Sequence, residues 1–107
     1  MRLWRAKERR VTTARVTFNG AVLAESDQTV VIEGNHYFPP KSVKWEHLTE
    51  NASHTTCWWK GEASYYDIKV DGEVSASAGW VYHEPSEAAE RIGDYVAFYR
   101  HKVTIEG

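Results

Sequence analysis

The sequence has little cysteine, proline and methionine, and it lacks long hydrophobic runs. Its 107 residues include one cysteine, three prolines and one methionine. A single cysteine excludes an internal disulfide and most structural zinc sites, which need about four Cys or His ligands. No apolar run approaches the roughly 20 residues that span a bilayer, and no apolar stretch follows the basic N-terminus as in a secretion signal. We therefore expect a cytoplasmic protein with no membrane partner.

Positive charge is scarce outside the N-terminus. Residues 1–15 hold six of the 13 basic residues and one acidic residue, which leaves seven basic and fourteen acidic residues in the rest of the chain. A nucleic-acid-binding protein usually has a basic face on its folded body, because phosphate neutralisation dominates affinity. The sequence therefore predicts no nucleic-acid partner. It also predicts a basic N-terminal extension at residues 1–13 and one β-rich domain at residues 14–107.

Alternation with period two, which is typical of strands, recurs along the sequence. Asn19-Gly20 and Asp71-Gly72 predict two tight hairpin turns. The second turn follows an expected strand at residues 61–70, on which Tyr66, Ile68 and Val70 face opposite to Tyr65. We expect the returning strand to carry on one face Val74, Ala76, Ala78, Trp80 and Tyr82.

Two further stretches predict short strands, and two others predict helical structure. Residues 29–33 are rich in β-branched side chains, and residues 95–99 are apolar on both faces, which is typical of a covered strand. Pro85-Ser86 begins a short helix at about residues 86–92, and Pro39-Pro40 leads into a helical turn at about residues 40–45. The fold class that we predict is mainly β: a compact single-domain antiparallel sheet or roll with one short helix.

Residues 54–66 contain the densest group of chemically versatile side chains. This segment reads HTTCWWKGEASYY and includes the only cysteine, two of the five tryptophans and a Lys60/Glu62 pair. We interpret residues 54–59 as an irregular approach to the strand at 61–70. Either a functional site or an aromatic-rich core strand explains this composition.

Several segments resemble a bacterial family that is catalogued as domain of unknown function 427. They are Phe18-Asn19-Gly20, residues 33–40 (EGNHYFPP), residues 56–66 (TCWWKGEASYY), Trp80-Val81-Tyr82 and residues 95–99 (YVAFY). The resemblance covers the chain from about Ala14 to the C-terminus. It departs from the family at Trp58, where relatives often have proline between the cysteine and the aromatic residue. The family carries a nucleotidyltransferase label, so the resemblance implies nucleotidyl transfer as the activity.

The residues themselves do not favour nucleotidyl transfer or a metal site. Nucleotidyl transfer needs carboxylates that converge on Mg²⁺, usually Asp-x-Asp after a Gly-Ser turn, and the sequence has neither motif. His36, His54 and His83 can form a three-ligand metal site only if their loops converge. We predict no metal and no cofactor.

Two enzyme hypotheses remain open. Cys57 can act as a nucleophile if His54 or Lys60 favours its thiolate, although this needs a turn, because odd offsets on a strand put side chains on opposite faces. Alternatively, Lys60 and Glu62 share a strand face and can act as an acid–base pair. The predicted catalytic residues are therefore Cys57, Lys60 and Glu62.

The leading hypothesis is a small-molecule site with aromatic walls, because flat rings stack on planar or cationic ligands. Lys60 and Glu62 would each supply a charged contact. The predicted ligand-binding residues are Trp58, Trp59, Lys60, Glu62, Tyr65, Tyr66, Trp80 and Tyr82, with Tyr37 and Phe38 at the rim. The alternative is a structural role, in which these rings form the core and the interface of a homodimer.

Overall fold

The computed structural model describes residues 13–107. The predicted basic extension, residues 1–13, lies almost entirely outside the described residues. Within residues 13–107, no helix is long and apolar enough to cross a membrane.

The fold is mainly β, as predicted, and its strands form three antiparallel sheets. The strands are β1 (Ala14–Phe18), β2 (Ala21–Ser26), β3 (Val30–Ile32), β4 (Asn35–Tyr37), β5 (Leu48–Cys57), β6 (Gly61–Val70), β7 (Glu73–Val81), β8 (Val96–Phe98) and β9 (Thr104–Glu106). The sheet orders are β2-β1-β9, β3-β4 and β5-β6-β7-β8. Short 3₁₀ segments at Pro40–Ser42, Trp45–His47 and Glu87–Ile92 supply the predicted helical turns.

Three two-residue turns join neighbouring strands, each with a positive φ at both residues. Asn19-Gly20 and Asp71-Gly72 are the two predicted turns, with φ of 48° and 83° at the first and 49° and 83° at the second. The third is Glu33-Gly34, with φ of 56° and 80°. Glutamate is unusual there, because Asn, Asp and Gly are the residues that adopt this conformation most readily.

The four-stranded sheet separates two hydrophobic clusters. The first cluster lies between that sheet and the β2-β1-β9 sheet, and it includes Val16, Leu23, Phe38, Tyr66, Ile68, Val81, Val96 and Phe98. The second cluster lies on the other face of the four-stranded sheet, under the β3-β4 hairpin and the segment Glu87–Ile92. Its buried members are Ile32, Tyr37, Ala63, Tyr65, Trp80, Tyr82, Ala89, Ile92 and Ala97. Tyr65 and Tyr66 therefore face opposite sides of β6, as the alternation predicts.

A bulge on β7 changes the predicted face of that strand. The pairing of β6 with β7 shifts register between Tyr66 and Ile68, and Ser77 there has a φ of 49°. The Asp67 carboxylate accepts the Ser77 N–H at 2.8 Å and thereby stabilises the bulge. The prediction that Val74, Ala76, Ala78, Trp80 and Tyr82 share one face is therefore wrong. Val74 is 57% exposed, Ala78 packs in the first cluster, and Trp80 and Tyr82 pack in the second.

The irregular approach that we predicted at residues 54–59 is also wrong in its first part. Residues 54–57 belong to β5 and pair with β6, from His54 opposite Ser64 to Cys57 opposite Gly61. The polar sequence of β5 carries no strand signal, because β5 is an edge strand with mostly exposed side chains. It also has a register shift between Glu50 and His54. Neither feature produces apolar alternation.

Candidate functional site

A tight loop between β5 and β6 brings Lys60 into the second cluster. Cys57 pairs with Gly61, so residues 58–60 form the loop. Ser86 fastens the loop, because its hydroxyl donates to the Trp59 carbonyl and its N–H donates to the Lys60 carbonyl at 2.9 Å. Gly61 permits this close approach, since a Cβ there would lie 3.4 Å from the Glu84 carbonyl oxygen, and its φ of 112° disfavours other residues.

The Lys60 side chain is buried among aromatic rings, with only 5% of the residue exposed. Its ammonium donates to the Glu33 carboxylate, and Nζ lies 4.9 Å from the centre of the Trp59 ring and 5.8 Å from that of Tyr82. Burial would lower the pKa of Lys60, but the Glu33 contact and the neighbouring Tyr37 and Cys57 groups outweigh it, so the pKa is raised. Lys60 is therefore a buried cation.

Glu33 is the partner of Lys60, and the sequence did not identify it. Its carboxylate accepts from Lys60 Nζ and, at 3.4 Å, from Trp59 Nε1. The hydrogen bond with Lys60 lowers the pKa of Glu33, whose side chain is 52% exposed. One signal could have indicated this residue: a glutamate directly before glycine in a two-residue hairpin turn, where its backbone conformation is unfavourable.

Five of the predicted aromatic residues belong to the second cluster or pack against it, beside this ion pair: Tyr37, Trp59, Tyr65, Trp80 and Tyr82. Trp80 Nε1 donates to the Tyr37 hydroxyl at 3.1 Å, and their rings meet edge to face at 6.1 Å between centres. The Tyr65 hydroxyl hydrogen-bonds the Thr55 hydroxyl at 2.7 Å. Tyr82 is 5% exposed, and among residues 13–107 its hydroxyl makes no hydrogen bond.

Burial is the main cause of the raised phenol pKa values in this cluster. It raises the pKa of Tyr82, and the nearby Tyr37 and Cys57 groups raise it further. It also raises the pKa of Tyr99, whose ring centre lies 4.4 Å from that of Trp80, to about 12. These phenols are therefore neutral at physiological pH.

Cys57 lies at the edge of the same cluster and is partly exposed. Burial would raise the pKa of its thiol, but the N–H groups of Trp59 and Lys60 and the Lys60 charge together lower it more. The turn that the nucleophile hypothesis required is therefore present at residues 58–60. His54 is not part of this arrangement, because it pairs with Ser64 on the opposite face of the sheet.

The other predicted site residues do not join this cluster. Trp58 is 92% exposed, and Phe38 and Tyr66 are buried in the first cluster. Glu62 does not share a face with Lys60, because Lys60 belongs to the loop and not to the strand. The predicted Lys60/Glu62 pair is therefore wrong in its geometry, since the ammonium contacts Glu33 instead.

Glu62 instead lines a cleft on the opposite face of the four-stranded sheet. The cleft has a volume of about 220 Å³ and is lined by Glu62, Ser64, His83 and Glu84. Within residues 13–107, no group of three or more His, Cys, Asp or Glu residues is arranged to hold a metal ion.

Two carboxylates hold His83 beside this cleft. Its Nδ1 lies 2.8 Å from Asp94 Oδ1, and its Nε2 lies 3.0 Å from Glu50 Oε1. The hydrogen bond with Asp94 raises the pKa of His83 most, burial opposes this, and Glu50 adds to it. The protonated imidazolium therefore bridges β5 to the segment that follows β7.

We expect this bridge to make stability depend on pH. The folded pKa of His83 is raised, so its contribution is complete below the unfolded pKa of about 6.5 and is lost as pH rises through the folded pKa. Urea unfolding from pH 5.5 to 9 should therefore show a loss with rising pH that is absent in His83→Gln. An equal loss in the variant would contradict this assignment, and His101→Gln is the matched control on the C-terminal segment.

The family model for domain of unknown function 427 (DUF427), labelled as a nucleotidyltransferase, matches residues 6–107. The chain therefore belongs to that family, as the sequence resemblance indicated. The match begins before Ala14 and so includes part of the predicted basic extension. No curated protein matches the chain.

Proposed function

We propose that the protein binds a small planar ligand through a carboxylate or another acceptor oxygen, and that Lys60 holds this oxygen. The supporting observations are the Lys60 ammonium, whose Nζ lies 5.8 Å from the centre of the buried Tyr82 ring, and the Tyr82 hydroxyl, which has no hydrogen-bond partner among residues 13–107. Buried polar groups nearly always have a partner, so an unpaired hydroxyl on a ring that the cation approaches favours a missing acceptor. A ligand oxygen between Lys60 and Tyr82 would satisfy both donors.

Glu33 occupies the position from which such an oxygen would approach. Its side chain is half exposed, and it holds Lys60 from a turn conformation that glutamate rarely adopts. A buried ion pair contributes little net stability, because desolvation offsets the attraction. The pair is therefore better explained by function: Glu33 neutralises Lys60 in the free protein, and the ligand oxygen competes with it.

Aromatic surface beside Lys60 supplies the contact for a planar ligand. The Trp59 ring is partly exposed and adjoins Lys60, whereas Trp80 and Tyr82 are more than nine-tenths buried in the cluster against which Trp59 packs. The ligand would therefore stack on Trp59 at the edge of the cluster and would not enter its interior. Such stacking contributes about 0.5–1.5 kcal/mol beyond the area buried.

A Trp-fluorescence screen of benzoate, indole carboxylates and nucleotides tests this proposal. We expect at least one planar acid to change the emission with saturation, and Lys60→Met to weaken its binding roughly tenfold or more, as expected for a lost charge-assisted hydrogen bond. Trp58→Phe is the matched control, because that exposed ring should not affect affinity. Equal binding by Lys60→Met would overturn the proposal, as would the absence of any saturable ligand.

A second candidate function is nucleophilic catalysis by Cys57. The observation that favours it is the loop itself, in which two N–H groups and the Lys60 ammonium favour the thiolate. Cys57 is also partly exposed. A ligand held by Lys60 would therefore lie beside a nucleophile.

A further inference from the structure

We infer that residues 83–94 form a pH-sensitive strap, which holds the loop at residues 58–60 in place while His83 is protonated and loosens it when His83 loses its proton. The strap follows β7 and includes the 3₁₀ segment Glu87–Ile92. Its effect on ligand binding at Lys60 rests on the proposed function, whereas the change in the loop itself does not.

The two ends of the strap meet at the His83 bridge. The Asp94 N–H donates to the Tyr82 carbonyl at 2.9 Å, and Asp94 Oδ1 lies 2.8 Å from His83 Nδ1. The other ring nitrogen, Nε2, lies 3.0 Å from Glu50 Oε1 on β5. One imidazole therefore fastens the ends of the strap to each other and to the edge strand of the four-stranded sheet.

The strap contacts the loop at residues 58–60 only three residues after its start. Ser86 donates its N–H to the Lys60 carbonyl at 2.9 Å and its hydroxyl to the Trp59 carbonyl. The packing here is tight, because a Cβ on Gly61 would lie 3.4 Å from the Ser86 nitrogen. A movement of the first residues of the strap therefore either shifts the loop or breaks these hydrogen bonds.

Only the charged form of His83 can donate to both carboxylates. An imidazolium has two N–H donors, whereas a neutral imidazole has one, so its second nitrogen would present a lone pair to a carboxylate oxygen. Loss of the proton therefore breaks the contact with either Glu50 or Asp94. The same ring lines the cleft that Glu62 of β6 and Glu84 of the strap also line.

The change should occur above the ordinary histidine pKa of about 6.5. The hydrogen bond with Asp94 raises the pKa of His83 most, burial opposes this, and Glu50 adds to it, so the pKa is raised. The strap is therefore fastened below about pH 6.5 and loosens as the pH rises through the pKa of the folded state.

The apolar part of the strap should stay in place when the bridge breaks. Ala89 and Ile92 are fully buried in the second cluster, and the hydrogen bond from the Asp94 N–H to the Tyr82 carbonyl does not titrate. The loosening is therefore confined to the residues between the bridge and Ala89. These residues include both contacts that Ser86 makes with the loop.

The test is hydrogen exchange of the Ser86 backbone N–H, measured by NMR on the full chain without ligand while the ring signals of His83 are followed from pH 5.5 to 9. Division by the intrinsic exchange rate at each pH gives a protection factor that reports on the hydrogen bond to Lys60. We expect this factor to fall roughly three- to tenfold as His83 titrates, as for one weakened hydrogen bond. It should stay constant in His83→Gln, whereas the control His101→Gln should behave as the wild type.

Four results would overturn the inference: no titration of His83 in this range, constant protection of Ser86 while His83 titrates, an equal fall in His83→Gln, or an equal fall at the Phe38 N–H. That N–H donates to the Val96 carbonyl at 2.8 Å in the core, so its exchange reports global unfolding. Because no ligand is present, each result is independent of whether Lys60 binds a planar acid. A failed ligand screen would overturn the proposed function and leave the strap intact.

Discussion

Glu33→Gln should destabilise the protein more than Lys60→Met, although the two residues form one ion pair. The glutamine variant leaves the buried Lys60 ammonium opposite a neutral amide, which we expect to lower the free energy of unfolding by about 1–3 kcal/mol. This is less than the loss for a fully buried pair, because Glu33 is half exposed. Lys60→Met puts an apolar side chain of similar length among aromatic rings and leaves a carboxylate that water can solvate. Its cost should be below about 1 kcal/mol.

Urea unfolding of the two single variants and the double variant measures this asymmetry. Glutamine keeps the shape of Glu33 and the same strained backbone position, so the turn itself does not contribute to the difference. The double variant should be about as stable as Lys60→Met, because no unpaired buried charge remains. If Lys60→Met is the more destabilising change, Lys60 is not the buried cation that we describe.

The pKa of the Cys57 thiol should lie below the ordinary cysteine value, and Lys60→Met should raise it. At pH 7 this variant should react with a disulfide reporter roughly three to ten times more slowly, since each pKa unit changes the thiolate fraction about tenfold. Because folding lowers the pKa of Cys57, its thiolate also stabilises the fold at pH values above the pKa of the unfolded chain. This contribution is lost as the pH falls through the pKa of the folded state.

His54→Gln is the matched control for this titration, because His54 is three residues from Cys57 in sequence but lies on the other face of the sheet. We expect it to leave the reaction rate unchanged. A pKa at or above the ordinary value in the wild type would remove the basis for nucleophilic catalysis. A slower reaction in His54→Gln would instead mean that the histidine acts on the thiol.

The hairpins and the alternating strand β6 were predictable from sequence because they depend on local signals. Asn19-Gly20 and Asp71-Gly72 are among the few dipeptides that adopt their turn easily, and the apolar alternation at Gly61–Val70 fixes which face is buried. The bulge at Ser77 was not predictable, because it is stabilised by Asp67 on the neighbouring strand.

The candidate site was predictable in its composition but not in its pairing. Residues 56–66 do contribute Cys57, Trp59, Lys60 and Tyr65 to one cluster. If Lys60 belonged to the strand, its side chain would share a face with that of Glu62. Lys60 is instead the last residue of the loop, and its side chain lies on the other face of the sheet. Its actual partner, Glu33, is 27 residues away in a separate hairpin, and only the packing of that hairpin on the sheet brings the two together.

The most direct test of the Lys60 site is a titration of the wild type and Tyr82→Phe with the planar acid found by the fluorescence screen. The removal of one hydroxyl should leave the fold intact, because that group has no hydrogen-bond partner within residues 13–107. If the hydroxyl donates to the ligand, the variant should bind roughly five to thirty times more weakly, at unchanged or slightly higher stability. If Tyr82→Phe binds as tightly as the wild type, the ligand oxygen does not lie between Lys60 and Tyr82, and the proposed site is wrong.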